Sequence, residues 1–208
     1  MQRSVNFIEL ANLSAQQRQR LLQRTEADLS DYEAKVRPII AAVRSDGDEA
    51  LARFAREFDK SPVAAGEIAA TAADFDAAER KLEPEVREAM AFAAQSIRKF
   101  HADQKPEEMW LHEIRPGAFA GDRSTPIPSV ACYVPRGKGA FPSVALMTTI
   151  PAKVAGVGDV AIVTPPGPDG KIDAATLVAA RMAGVDKVFK AGGAQAVAAV
   201  AYGTRTIP

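Results

Sequence analysis

Two short stretches carry residue types on which chemistry could be built. The first is Tyr133-Val-Pro-Arg-Gly-Lys-Gly-Ala-Phe-Pro-Ser143. Gly137 and Gly139 stand two apart, which lets the backbone come close to a ligand, and Arg136 and Lys138 add positive charge. A helix opening at Pro142 or Ser143 would offer free N–H groups to a phosphate. The spacing is not the G-x-G-x-x-G of the standard dinucleotide fingerprint. An anion-binding loop and a plain tight turn are both open readings. The second stretch is Ala191-Gly-Gly-Ala-Gln-Ala196. Gly192-Gly193 between a strand and a helix permits an unusual backbone and a close approach. Gln195, in the first helical turn, can present both a donor and an acceptor. A ligand contact and a helix cap whose Gln faces water are both open here.

Other side chains read more simply. Cys132 falls in a buried strand and reads as a small hydrophobe rather than a nucleophile. His101 and His112 form no i, i+4 pair, so they read as solvated or helix-end histidines rather than metal ligands. Asp74, Asp76 and Glu79 read as a solvated helix face near an N-terminus. Trp110 is expected to anchor a hairpin to the core. No Ser-His-Asp set and no basic stripe with aromatics is visible. No catalytic residue and no metal ligand is assigned.

These stretches need elements to position them. From Ser129 the chain reads strand, turn, helix, three times over. The strands are Val130–Val134, Asp159–Thr164 and Val185–Lys190. The helices run from Pro142 or Ser143 to about Ala155, from an Asp173 cap to Ala183, and over Ala194–Tyr202. Pro151 demands a kink or a break in the first of them. This alternation makes a parallel sheet with crossover helices, and ligands of such sheets sit off the carboxyl ends of the strands. The first 105 residues are mostly helical. Ser14 caps a helix over Gln16–Asp28 with Leu21 and Leu22 on its apolar side. Ser30 or Asp31 caps a second, with Val36, Ile39, Ile40 and Val43 as its stripe, ended by a left-handed Gly47. A third carries Leu51, Phe54, Ala55 and Phe58. Val63–Ala72 is a weak strand or loop, and Asp74–Lys81 a short helix. Pro84 opens a long helix to about His101, with Val86, Met90, Phe92, Ala93, Ile97 and Phe100 inward. Pro116-Gly117 joins Met109–Ile114 to Phe119–Arg123 as a hairpin. The rigid Ser124–Pro128 segment divides a mostly helical region, 1–128, from a Rossmann-like βαβαβα half-domain, 129–208. The fold class is α/β, with an incomplete parallel sheet that looks cut in mid-domain.

Composition bounds the function. The chain has 208 residues, 47% of them hydrophobic, and Lys plus Arg equals Asp plus Glu at 26 each. A zero net charge gives no global field for nucleic acid or an anionic membrane. There is one cysteine, no apolar run long enough to span a bilayer and no secretory signal pattern. The expectation is a soluble cytoplasmic protein.

Several motifs taken together resemble histidinol dehydrogenase. They are Tyr133-Val-Pro, Pro142-Ser143, Ile150-Pro-Ala-Lys-Val-Ala-Gly156, Val163-Thr-Pro165, Ala183-Gly-Val-Asp186, Gly192-Gly-Ala-Gln-Ala196 and Ala201-Tyr-Gly-Thr204. Upstream, Val43-Arg-Ser-Asp-Gly-Asp48, Phe58-Asp59, Ile97-Arg-Lys-Phe-His101 with Gln104, and Pro116-Gly117 are also similar. The resemblance implies an NAD-dependent zinc enzyme, a homodimer, that oxidises L-histidinol through an aldehyde to L-histidine in histidine biosynthesis. It implies that Tyr133 and Gln195 contact NAD. It also implies that a Glu-His pair for proton transfer and the Gln, His and Asp ligands of zinc lie beyond Pro208. This chain would then be an N-terminal portion, inactive alone and partnered by a missing C-terminal half. The sequence departs from the family where Tyr-Val-Pro-Gly-Gly becomes Tyr133-Val-Pro-Arg136-Gly137, and where Thr148-Thr149 replaces Asn-Ala. The added cations are compatible with an anionic substrate, and the chain looks similar to paralogues acting on other polar alcohols, including sulfonated diols. A reading from another class is a non-catalytic module that binds a nucleotide or a partner chain at an open sheet edge.

Overall fold

The computed structural model describes residues 7–22, 29–137 and 139–208. The chain divides into two compact units, residues 1–38 and 39–208. In the first unit, α1 (Ala15–Leu22) opens on a reciprocal cap. The Ser14 hydroxyl accepts from the Gln17 N–H at 3.2 Å, and the Gln17 side chain accepts from the Ser14 N–H at 2.9 Å. Leu21 and Leu22 are exposed rather than packed on an apolar face. The expected continuation of this helix to Asp28 lies outside the described residues.

The second unit is a layered α/β structure. It begins within α2 (Ser30–Asp46) and continues through α3 (Asp48–Phe58), α4 (Ala72–Lys81) and α5 (Pro84–Gln104). Gly47 separates α2 from α3 at φ 55°, the left-handed turn expected of it. A hairpin follows, β1 (Met109–Arg115) and β2 (Ala118–Arg123), with Gly117 at φ 75° in the turn. Then come β3 (Ser129–Tyr133), α6 (Pro142–Ala155), β4 (Asp159–Thr164), α7 (Ala174–Met182), β5 (Lys187–Lys190) and α8 (Gly193–Tyr202). Strands β3, β4 and β5 are parallel and lie in chain order, with Tyr133 opposite Val163 and Thr164 opposite Lys190.

Strand periodicity decides what packs where. Cys132, Val160, Ile162 and Val188 point to one face and share a core with α4, α5, α6 and α7. Val163 and Phe189 point to the other and share a core with α3 and α8. Both crossover helices thus lie on one side, as sequential right-handed βαβ units require. The outer edge of β5 is closed by an antiparallel segment. The Lys190 N–H donates to the Ile68 carbonyl at 2.7 Å and the Ala70 N–H to the Val188 carbonyl at 2.8 Å. This is what the weak strand at Val63–Ala72 becomes.

Some expected contacts are absent. Trp110 does not anchor the hairpin: it is exposed and its ring meets His112, in the same strand, at 5.4 Å. All of β1 is exposed. Val86, Phe92 and Phe100 of α5 also face outward, while Met90 and Ala94 are buried. Their stripe was drawn too wide, because α5 packs with one narrow side only. Pro151 does not break α6, which runs through it to Ala155. The missing N–H costs one intrahelical bond, to the Met147 carbonyl, and the turn before it is bonded instead by the Thr148 and Thr149 hydroxyls to the Val144 and Ala145 carbonyls, at 2.7 and 2.6 Å.

The start of α4 is fixed by a capping box. The Thr71 hydroxyl accepts from the Asp74 N–H at 3.2 Å, and the Asp74 carboxylate accepts from the Thr71 N–H at 2.8 Å. Burial pushes the Asp74 carboxyl up, but the Thr71 N–H and hydroxyl together with the charges of Lys190 and Lys171 outweigh it and hold it below 3.8. Thr71→Ala should therefore destabilise the fold by about 1 kcal/mol in urea titrations. Because the folded value is depressed, the Asp74 contribution is present at neutral pH and lost as pH falls through that lowered value. The gap between native and Thr71→Ala chains should accordingly narrow in acid.

Candidate functional site

The carboxyl ends of the three parallel strands meet the N-terminus of α8, and contacts run around this rim in a ring. Tyr133, the last residue of β3, reaches across the sheet, and its phenol oxygen accepts a hydrogen bond from the Gly193 N–H at 3.0 Å. That N–H is one of the unsatisfied donors of the α8 start. Gly192 lies against Pro165, which follows β4: a Cβ at Gly192 would collide with the proline ring. Gly193 is left-handed, at φ 59°. The two glycines thus have separate reasons, one for close approach and one for backbone angle.

Gln195 is 3% exposed, which removes the reading of an exposed cap facing bulk water. Its carboxamide folds back on the helix start, such that a Cβ at Gly193 would lie 2.8 Å from Oε1. Among the described residues the carboxamide makes no hydrogen bond. Neither of its polar atoms is among the fully buried, partnerless ones of the described residues, so the little surface Gln195 keeps is at its amide, which can bond water or a ligand. The Tyr133 oxygen already accepts from Gly193, which leaves its own O–H free to donate outward.

Arg136 continues the ring. A Cβ at Gly167 would lie 2.5 Å from both Arg136 Nη1 and Asp169 Oδ1, so only glycine lets the guanidinium rest there. Arg136 also acts on Asp59, at the end of α3: burial pushes the Asp59 carboxyl up and the Arg136 charge pulls it partly back. The loop after α3 closes the ring, with Pro62 Cγ 3.4 Å from the Cβ position of Gly170. Lys138 lies outside the described residues.

The other sequence candidates sit away from the rim. Cys132 is buried, and burial raises its thiol against the opposing Thr148 hydrogen bond, which suits an inert core residue. His101 shares a ring nitrogen with the Gln104 side chain at 2.9 Å on α5. Asp76 and Glu79 hold Arg181 at 3.1 and 3.7 Å. No group of three or more His, Cys, Asp or Glu side chains converges among the described residues. Spacing alone did not single out Pro165, Gly167, Asp59 or Ser61. The signal for Asp59 was a helix that ends on Phe58-Asp59-Lys60 with no glycine to terminate it.

Comparison with known proteins follows the same residues. The histidinol dehydrogenase family model matches residues 22–208. The chain is 62% identical over 98% of its length to a histidinol dehydrogenase homolog of Rhizobium meliloti (strain 1021), covering 45% of that protein. It is 45% identical over 97% of its length to a histidinol dehydrogenase of Synechocystis sp., covering 46% of it. The crystal structure of histidinol dehydrogenase from Elizabethkingia anophelis superposes with a TM-score of 0.83 at 31% identity, over 95% of this chain and 45% of that one. The chain therefore spans a little under half the length of the relatives it matches. The matched residues include the whole rim, from Phe58-Asp59 to Gly192-Gly193-Gln195, and the chain belongs to the histidinol dehydrogenase family.

Proposed function

We propose that this chain supplies the NAD-holding part of a dehydrogenase that oxidises a polar alcohol, histidinol or a related one. The observation that carries this reading is the Gln195 carboxamide, free of protein partners among the described residues, beside the Tyr133 phenol at the start of α8. The donor set fits a nucleotide. Gln195 offers both a donor and an acceptor, the Tyr133 O–H is free to donate, and the Ala194 and Gln195 N–H groups have no intrahelical acceptor and suit an anion. NAD, when held there, would accept a hydride from the alcohol carbon. The work of this chain's residues is to bind and orient it. Gly193 fixes the phenol, and the phenol and carboxamide set where the cofactor lies.

Zinc is different. The described residues do not assemble a ligand set for it. We assign the zinc ligands and the proton-transfer pair to the part of the relatives that this chain does not match, and we assign the working assembly to a homodimer in the cytoplasm. Among the described residues no helix is long and apolar enough to cross a membrane.

A second reading of the substrate has its own support. Arg136 is an exposed cation on the rim. The chain is 62% and 63% identical to relatives named histidinol dehydrogenase homolog, against 45% for one named histidinol dehydrogenase. An anionic alcohol would pair with Arg136.

Calorimetry with NAD tests the cofactor site. Tyr133→Phe and Gln195→Ala should each weaken NAD by about tenfold, the worth of one or two hydrogen bonds. Undiminished affinity in both variants sinks the assignment. Gly192→Ala should lower the melting temperature and weaken NAD together, because the new methyl must push Pro165 out of the rim, at about 1–3 kcal/mol.

A further inference from the structure

Two oxygens near the rim are buried and have no partner: Asp59 Oδ2 and Ser61 Oγ. Ser61 is 1% exposed, while Asp59 is only half-buried, so part of its carboxylate remains open to the rim. Between them stands Lys60 at φ 56°, the sole non-glycine residue with positive φ among the described residues. Such a conformation is uncommon for a side chain of this kind and marks a loop whose shape its surroundings impose. The imposed shape is visible in the bonding. The Asp59 and Ser61 N–H groups both donate to the Ala55 carbonyl, at 3.1 and 3.0 Å, and Lys60 Nζ turns back to the Glu57 carbonyl at 2.7 Å. The lysine thus leaves Asp59 alone. The last turn of α3 and the first of α8 share one core through Ala55 and Ala196, so Asp59 and Gln195 stand at the same end of the sheet.

The chemistry of the missing partner can be narrowed. Carboxylate and hydroxyl oxygens without donors call for donors. An anion is disfavoured by the carboxylate. A second cation is disfavoured by Arg136, whose charge already acts on Asp59. Neutral donors remain, and of these a pair of adjacent hydroxyls is what a sugar presents. An acceptor with one oxygen withdrawn from water is poorly solvated, so a hydroxyl bonded to its open side gains more than it would from an exposed carboxylate.

We propose that Asp59, with the partnerless Ser61 hydroxyl two residues on, accepts the hydroxyls of a ribose at the rim, which makes the end of α3 a ligand-binding element beside the strand ends. The inference rests on the nucleotide reading above and deepens it.

The test is calorimetry of the 208-residue chain with NAD, with AMP and nicotinamide mononucleotide, and with the 2′,3′-dideoxy form of each mononucleotide. Asp59→Asn should weaken NAD about tenfold, as expected for a charge-assisted bond made neutral. It should weaken one mononucleotide by a similar factor and spare the other, which tells which ribose is held. The dideoxy form of the affected mononucleotide should bind the native chain about tenfold more weakly and lose nothing further on Asp59→Asn. Ser61→Ala should weaken NAD by about twofold to threefold, and it serves as the second variant should Asp59→Asn melt early. Native NAD affinity in both variants overturns the inference, as does an equal loss for the dideoxy and hydroxylated forms. If Tyr133→Phe and Gln195→Ala still weaken NAD in that case, the nucleotide reading stands and the ribose claim alone falls. A native chain that binds no NAD overturns both.

Discussion

The hydrogen bond from the Gly193 N–H to the Tyr133 phenol oxygen ties the first strand of the sheet to the helix that follows the last. It spans sixty residues of sequence with one contact, and it can form only because two conditions hold at once. Gly193 must be left-handed for its N–H to leave the helix direction, and Gly192 must have no side chain for α8 to start this close to Pro165. When both hold, a helix start with its orphan donors is presented beside a phenol whose own hydrogen is uncommitted. The buried Gln195 carboxamide follows from the same geometry, since a helix set back from Pro165 would leave it in water.

The rest of the unit keeps this rim in place. Alternation along β4 and β5 sends Val160, Ile162 and Val188 to one core and Val163 and Phe189 to the other, so the strands are clamped from both faces. Far from the rim, the Asp48 carboxylate accepts the Thr206 hydroxyl at 2.6 Å and joins the start of α3 to the chain after α8. The two helices are thereby tied at that end and packed together through Phe54, Ala55, Ala196 and Ala199 along their length. What happens at the end of α3 is therefore fixed relative to the start of α8, and Lys60 is held in a conformation it would not choose alone.

The sequence disclosed the elements well, because they rest on local signals. Gly47 ended its helix as a left-handed residue, Ser14 formed its cap, and the three strands fell where alternating apolar runs placed them. Its failures share a cause. Trp110, Phe92, Phe100, Leu21 and Leu22 were given to the core because large apolar side chains usually go there. Which side of a helix or hairpin meets a neighbour is decided by tertiary packing, and periodicity does not carry that information. At the rim, Tyr133, Gly192-Gly193 and Gln195 were legible as a pattern of residue types, yet Gln195 was balanced between water and ligand, and what its burial takes away is only the exposed cap facing bulk water. Asp59 was visible only as part of the Phe58-Asp59 motif and a helix end without glycine, and neither it nor Ser61 was legible as a site residue. Their significance lies in bonds they fail to make, and a missing bond has no sequence signature.

Charge around the rim is divided in a way that bears on what could fill it. Arg136 rests on Gly167 beside Asp169, on the side where β4 leads to α7, while the phenol and carboxamide stand at the start of α8. Asp59 lies within reach of the Arg136 charge and so moderates it. A ligand lying across this ring meets neutral donors and acceptors at one place, free helix N–H groups at another and a partly compensated cation at a third. A simple anion such as phosphate would satisfy the second and leave the Gln195 amide to water. A purely apolar ligand would satisfy none of them. The molecule that answers all three carries hydroxyls, an amide-like edge and negative charge on one frame, and a dinucleotide is such a molecule. On the nucleotide reading, the same division keeps Arg136 clear of the cofactor: its charge is turned toward the Gly167–Asp169 turn, where an anionic group of a substrate could approach without displacing a nucleotide from Tyr133 and Gln195.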